Sequence, residues 1–120
     1  MTGLNLLTGR RVLLVEDDYF IAEEMCSAFA KNGAEVLGPV GEVGEALALI
    51  SNAGRIDGAV LDIKLHDEMI YPVADVLRER EVPFVFATGY EETMIPAQYA
   101  DVHRCEKPVE FEIVAKALFG

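Results

Sequence analysis

The chain has 120 residues, of which 52% are hydrophobic, and a formal net charge of −11. That is the length of one domain, enough to bury a core without staples and too apolar for disorder. The charge excludes a nucleic-acid binder, which needs clustered Lys and Arg against phosphates, and its first account is solubility. Cys26 and Cys105 have neither metal nor redox spacing and read as buried thiols of a reducing compartment. No apolar run reaches the roughly 20 residues that span a bilayer. The segment Met1 to Gly9 lacks the basic start and long apolar run of a secretory signal. The expectation is a cytoplasmic protein with no membrane segment and no nucleic-acid partner.

Residues 1–10 read as a short lead-in and residues 11–120 as one domain. Arg11 to Val15 is the first strand. A helix follows from Asp18 to Asn32, with Ile21, Met25, Ala28 and Phe29 at helical spacing and Gly33 as a stop. Ala34 to Val40 holds the second strand. Val43, Ala46, Leu47 and Ile50 give the helix Val43 to Ser51 its apolar face. Gly58 to Leu61 is the third strand, and a loop of roughly ten residues follows Asp62. Pro72 opens a third helix, where its missing N–H is no loss, with Val73, Val76 and Leu77 on the buried side. Phe84 to Ala87 is apolar at every position, as a strand covered on both faces should be. Glu91 to Gln98 is a weak helix broken by Pro96. His103 to Glu106 is a short fifth strand, and a last helix aligns Phe111, Val114, Ala115 and Leu118. The pattern predicts a (βα)5 α/β fold, a doubly wound five-stranded parallel sheet with helices on both faces.

In such a sheet the carboxyl ends of the strands share one edge, and ligands bind there. The first strand ends in Glu16-Asp17-Asp18, the third in Asp62, the fourth in Thr88-Gly89-Tyr90 and the fifth in Glu106-Lys107-Pro108. Clustered carboxylates repel one another, and a divalent cation relieves that repulsion. Mg2+ takes one or two carboxylates, waters and a phosphate oxygen. Asp62 is then placed as a nucleophile that forms an aspartyl phosphate. The Lys107 ammonium would neutralise phosphoryl oxygens and the Thr88 hydroxyl would hydrogen-bond to one of them. Asp18 reads instead as the N-cap of the first helix. Pro108 fixes the turn after Lys107, where a cis bond is compatible with the sequence.

Together these residues resemble the receiver domain of two-component response regulators, from Arg11 to Leu118. Val12-Leu13-Leu14-Val15-Glu16-Asp17-Asp18 is similar to the first-strand acidic motif. Asp62 matches the phospho-acceptor, Thr88 the switch hydroxyl, and Lys107-Pro108 the terminal lysine motif. The resemblance implies a flavodoxin-like fold with strand order 2-1-3-4-5. It implies that Asp17, Asp62 and the backbone carbonyl of Lys64 bind Mg2+ directly, with Glu16 acting through water. It implies a phosphorelay role in signal transduction, a histidine kinase or histidine phosphotransfer protein as donor, and output by protein contact or as a phosphate sink. Such a protein is not a turnover enzyme; it catalyses only its own phosphoryl acceptance and hydrolysis. It would be a monomer or a phosphorylation-dependent dimer.

The segment Pro83 to Tyr90, with Tyr71-Pro72-Val73-Ala74-Asp75, resembles the FAT GUY subfamily, which points by analogy to an HWE-type kinase. Three departures accompany it. Gly89 and Tyr90 follow the switch Thr. Arg104 stands where the fifth-strand aromatic is expected, so Tyr90 is the candidate to take over its role. The usual Pro and Gly are missing from Leu65-His66-Asp67-Glu68. Lys64 and Tyr90 each lie two residues past a pocket residue and either shield the phosphoryl group from water or serve only as a solvated lysine and a packed tyrosine.

Other classes fit less well. A phosphatase of the haloacid dehalogenase type needs a second Asp two residues after the nucleophile, where this chain has Lys64. A flavin or nucleotide binder needs a phosphate-cradling loop after the first strand, where this chain has three acids. A receiver-like protein-binding module that works without phosphorylation would have no use for the complete acid, hydroxyl and lysine set.

Overall fold

The computed structural model describes residues 6–66, 68–89 and 95–120. In chain order the elements are β1 (Arg11–Val15), α1 (Tyr19–Lys31), β2 (Glu35–Val40), α2 (Val43–Ala53), β3 (Gly58–Asp62), β4 (Lys64–Leu65), β5 (Glu68–Met69), α3 (Tyr71–Glu79), β6 (Phe84–Thr88), a 3-10 turn (Ala97–Tyr99), β7 (Arg104–Glu106) and α4 (Phe111–Phe119). Five strands pair in parallel in the order β2-β1-β3-β6-β7. In chain order these are the second, first, third, fourth and fifth parallel strands, so the expected doubly wound order is present.

Strand alternation sorts the apolar side chains onto two faces. Leu13 and Val15 of β1, Ala59 and Leu61 of β3 and Phe86 of β6 pack with Ala46 and Ile50 of α2 and Val73, Ala74 and Leu77 of α3. Val12, Leu14, Val60, Val85, Ala87 and Cys105 face the other way, against Met25 and Phe29 of α1 and Val114 and Ala115 of α4. The central strands are buried on both faces, which explains their unbroken apolar runs. Cys26 and Cys105 are both free thiols.

Residues before β1 also pack. Leu7 is fully buried, the Gly9 N–H donates to the Gly33 carbonyl at 2.9 Å, and the Arg10 guanidinium lies 4.5 Å from the centre of the Phe119 ring. α1 begins where the sequence places its cap. The Asp18 carboxylate accepts from the Phe20 and Ile21 N–H groups at 3.0 and 3.1 Å.

One feature of β2 has no sequence signal beyond a Gly-Pro pair. Gly38 has φ +100°, the Gly38–Pro39 peptide is cis, and the β1–β2 register shifts between Leu13 and Val15. A Cβ on Gly38 would stand 2.9 Å from both the Leu14 carbonyl oxygen and the Val40 nitrogen. Both neighbours are backbone and cannot give way. Gly38→Ala is therefore expected to cost about 2–4 kcal/mol, from a positive φ and a backbone clash together. Urea unfolding checks this; a loss within about 0.5 kcal/mol, the usual range of a neutral surface change, would contradict it.

Two expectations are corrected. The segment after Asp62 is not a structureless loop: Lys64–Leu65 pairs antiparallel with Glu68–Met69 as a small hairpin, and Leu65 and Ile70 are buried. Its buried apolar anchors fix this register. The predicted helix Glu91 to Gln98 falls partly on residues 90–94, which lie outside the described residues. Beyond them, Ile95 and Pro96 are not helical and only one 3-10 turn follows. Pro96 lacks an N–H and pushes the residue before it out of the helical region. No helix among the described residues is long and apolar enough to cross a membrane.

Candidate functional site

The parallel register brings the chemistry together. β1 pairs Val15 with Leu61 of β3, so Glu16 and Asp62 leave the sheet side by side. β3 pairs Asp62 with Ala87, placing Thr88 one residue further along β6. β6 pairs Thr88 with Glu106, and Lys107 follows. The Lys107 N–H donates to the Thr88 carbonyl at 2.9 Å, and the Glu16 N–H to the Val40 carbonyl at 2.9 Å. These bonds fix the backbone at both sides of the site. The Lys107–Pro108 peptide is cis, as the sequence allowed.

One oxygen from each of Glu16, Asp17 and Asp62 lies within 4.8 Å of the other two. Glu16 and Asp62 are buried, as is Thr88. The Lys107 Nζ sits between the two buried acids, 3.1 Å from Glu16 Oε1 and 3.3 Å from Asp62 Oδ2. Glu16 Oε2 accepts from the Asp18 N–H at 3.1 Å, while Oε1 is buried and receives no aligned hydrogen bond.

The electrostatics follow from that packing. Burial first, and then the neighbouring Glu16 charge, push Asp62 from its ordinary 3.8 up to about 8, although Lys107 pulls the other way. Burial alone would lower Lys107, but Asp62 and Glu16 more than offset it and raise the ammonium above its ordinary value. One ammonium therefore faces more negative charge than it neutralises. Three carboxylates around one ammonium leave an excess of hard oxygen donors, which fits a divalent cation of the magnesium type.

His66 is a contact that the sequence did not signal. At φ 47° in the β4–β5 turn, its backbone N–H donates to Asp17 Oδ2 at 2.9 Å, and its Nδ1 lies 3.5 Å from the same oxygen. The carboxylate of Asp17 is thereby held over the site by the chain segment that follows Asp62. Lys64 lies in β4 two residues past Asp62, with its side chain exposed. Arg104 is exposed on β7, paired with Phe86. Tyr90, the candidate switch aromatic, lies outside the described residues. Thus Glu16, Asp17, Asp62, Thr88 and Lys107 converge, and Lys64 and Pro108 flank them.

No family model and no curated protein matches the chain. Solved structures do. SdrG from Sphingomonas melonis Fr1 is 37% identical over 94% of this chain and 94% of its own, with a TM-score of 0.80. The BeF3-activated conformation of SdrG from Pseudomonas melonis Fr1 is 34% identical over 98% of this chain and 96% of its own, with a TM-score of 0.74. A response regulator receiver protein from Sinorhizobium medicae WSM419 is 23% identical, covers 91% and 90% of the two chains at a TM-score of 0.74, and shares the fold. The likeness to SdrG fits the subfamily that the fourth-strand motif suggests. With the sheet order, the edge acids and these neighbours in agreement, the chain belongs to the response regulator receiver domains.

Proposed function

We propose that this protein is the receiver of a two-component phosphorelay and that Asp62 accepts the phosphoryl group. The observation that carries the reading is a buried Asp62 with Lys107 Nζ at 3.3 Å and two further carboxylates beside it. An Asp62 oxygen attacks the phosphorus of a phosphohistidine. The O–P bond forms as the P–N bond breaks, and the electron pair returns to the imidazole nitrogen. Receivers take the group from a histidine kinase or phosphotransfer protein; for this chain an HWE-type kinase is the proposed donor.

The residues divide the work by position. Asp17, Asp62 and the Lys64 carbonyl would hold Mg2+, with Glu16 acting through water; the ion would supply charge neutralisation for the phosphoryl oxygens. Lys107, whose Nζ lies 3.3 Å from Asp62 Oδ2, neutralises the phosphoryl group. The Thr88 hydroxyl, at the next strand end, hydrogen-bonds to it. Tyr90 takes the role of the aromatic that Arg104 replaces, and Pro108 holds the turn that aims Lys107. The unit is residues 11–120 with a short lead-in, and the protein works in the cytoplasm as a signalling module rather than a turnover enzyme. It acts as a monomer or a phosphorylation-dependent dimer, by protein contact or as a phosphate sink. The existence of a BeF3-activated conformation of SdrG supports the phosphoryl reading.

Incubation with acetyl phosphate and Mg2+ tests this. The intact mass should rise by one phosphoryl group, and chelation of the metal should prevent the gain. No gain with Mg2+ present would contradict the reading and favour a binding module that works without phosphorylation.

A further inference from the structure

The hairpin that follows Asp62 reaches back to one of the three acids through its main chain. Lys64 pairs with Met69 and Leu65 with Glu68, and the buried Leu65 and Ile70 side chains anchor the hairpin to the core. The Ile70 N–H donates to the Ile63 carbonyl at 2.8 Å and closes its base. His66 has φ 47°, and its N–H meets Asp17 Oδ2 at 2.9 Å. The imidazole is 72% exposed, with Nδ1 3.5 Å from the same oxygen. A proline at position 66 could not make this bond, because it has no N–H and holds φ at roughly −65°. The segment Leu65-His66-Asp67-Glu68 contains no proline, and the contact is open to it for that reason.

A second segment packs on the same acid. A Cβ on Gly41, the residue after β2, would stand 3.3 Å from the Asp17 Cα and 3.5 Å from its Cβ. One residue before Asp17, the Glu16 N–H is tied to the Val40 carbonyl at 2.9 Å. Asp17 therefore has a fixed backbone, little room beside its Cβ and one carboxylate oxygen already engaged. Divalent cations differ in what they ask of such a group. Mg2+ demands near-octahedral geometry from few protein oxygens, whereas Ca2+ takes more oxygens at longer range, including both of one carboxylate.

We propose that His66 is a positioning residue that sets ion selectivity at the acidic site: its backbone N–H holds Asp17 Oδ2, so that Asp17 presents Oδ1 alone and the site is biased toward Mg2+ and against Ca2+. Ion choice is set by ligand number and rigidity, and this bond acts on both. The role belongs to the main chain, and the exposed imidazole is dispensable to it. The inference rests on the proposed cation site at Asp17 and Asp62.

The test is titration with Mg2+ and with Ca2+, each alone and followed by amide NMR shifts, for the wild type, His66→Pro and His66→Gly. His66→Pro removes the donor; His66→Gly keeps both the N–H and the left-handed turn. Mg2+ affinity of His66→Pro should fall about five- to tenfold, a part of what a hydrogen bond to a charged group contributes, while Ca2+ affinity holds or rises. His66→Gly should bind both ions within about twofold of the wild type, because an exposed ion pair contributes little. A hairpin that merely came loose would weaken both ions together, so an unchanged Mg2+ to Ca2+ ratio in His66→Pro would overturn the proposal. Equal losses in the Gly and Pro variants would overturn it too, by assigning the effect to the imidazole. Should His66→Pro fail to fold, hydrogen exchange in the wild type decides: the His66 amide should stay protected with Mg2+ bound, and loss of protection on Mg2+ binding would contradict the proposal. No Mg2+ binding by the wild type would instead refute the cation reading of the site.

Discussion

Asp62→Asn will take up no phosphoryl group from acetyl phosphate under conditions that label the wild type. The substitution keeps the volume of the side chain and replaces a carboxylate nucleophile by an amide oxygen. The fold around it should persist, because Asp62 closes β3 at the sheet edge and the buried apolar core begins with Leu61. Lys107 retains Glu16 at 3.1 Å. What disappears is the attacking oxygen, and with it the covalent step. The labelling rate should fall by at least about a thousandfold, equivalent to roughly 4 kcal/mol of barrier. Intact mass after timed incubation measures it. Equal labelling of the variant would mean that another residue is the acceptor.

The second large effect is on stability and pH. In the metal-free protein Asp62 titrates near 8 instead of at 3.8. The folded state therefore holds a proton that the unfolded state releases throughout this interval. Its contribution is fully present below the unfolded value and is lost as pH rises through the folded one, so stability must fall with rising pH. The window lies between the two values for Asp62, and pH 5 to 8 falls within it. Across it, the wild type in EDTA should lose about 2 kcal/mol relative to Asp62→Asn, a figure reduced from the full shift because solvent reaches the site. Every other ionisable group is common to both proteins, and the difference between them isolates Asp62. Urea unfolding at both pH values gives the number. Mg2+ should restore the wild type at pH 8 and leave the variant much less affected. Parallel slopes for the two proteins would show that Asp62 ionises freely.

The sequence makes the edge of the sheet legible because each central strand is an unbroken apolar run that stops at a polar residue. Parallel pairing then brings Asp62 beside Glu16 and sets Thr88 opposite Glu106, one residue before Lys107, without any further information. Asp18 as a helix cap was readable for the same local reason. The hairpin after Asp62 was not, since two-residue strands leave no alternation to detect. The grip of His66 on Asp17 depends on that hairpin's turn, and nothing in Leu65-His66-Asp67-Glu68 announces it. The Gly38–Pro39 pair marks a break in β2, but the close approach to Leu14 appears only when β1 lies beside it. α3 shows how periodicity locates one face and hides another. Its apolar spacing points to Val73, Val76 and Leu77, whereas the buried residues are Val73, Ala74 and Leu77. The polar face at Tyr71, Asp75 and Arg78 packs against Tyr99, a lone aromatic in a stretch with no regular pattern.

The most direct test of the account is to locate the acyl phosphate itself. The protein is labelled with acetyl phosphate and Mg2+, reduced with borohydride, digested and read by peptide mass spectrometry. Reduction converts a phosphorylated aspartate to homoserine. Homoserine at position 62 alone is the predicted result. Homoserine at Asp17 or elsewhere, or none in a protein that has gained phosphoryl mass, would contradict the assignment of Asp62 as acceptor.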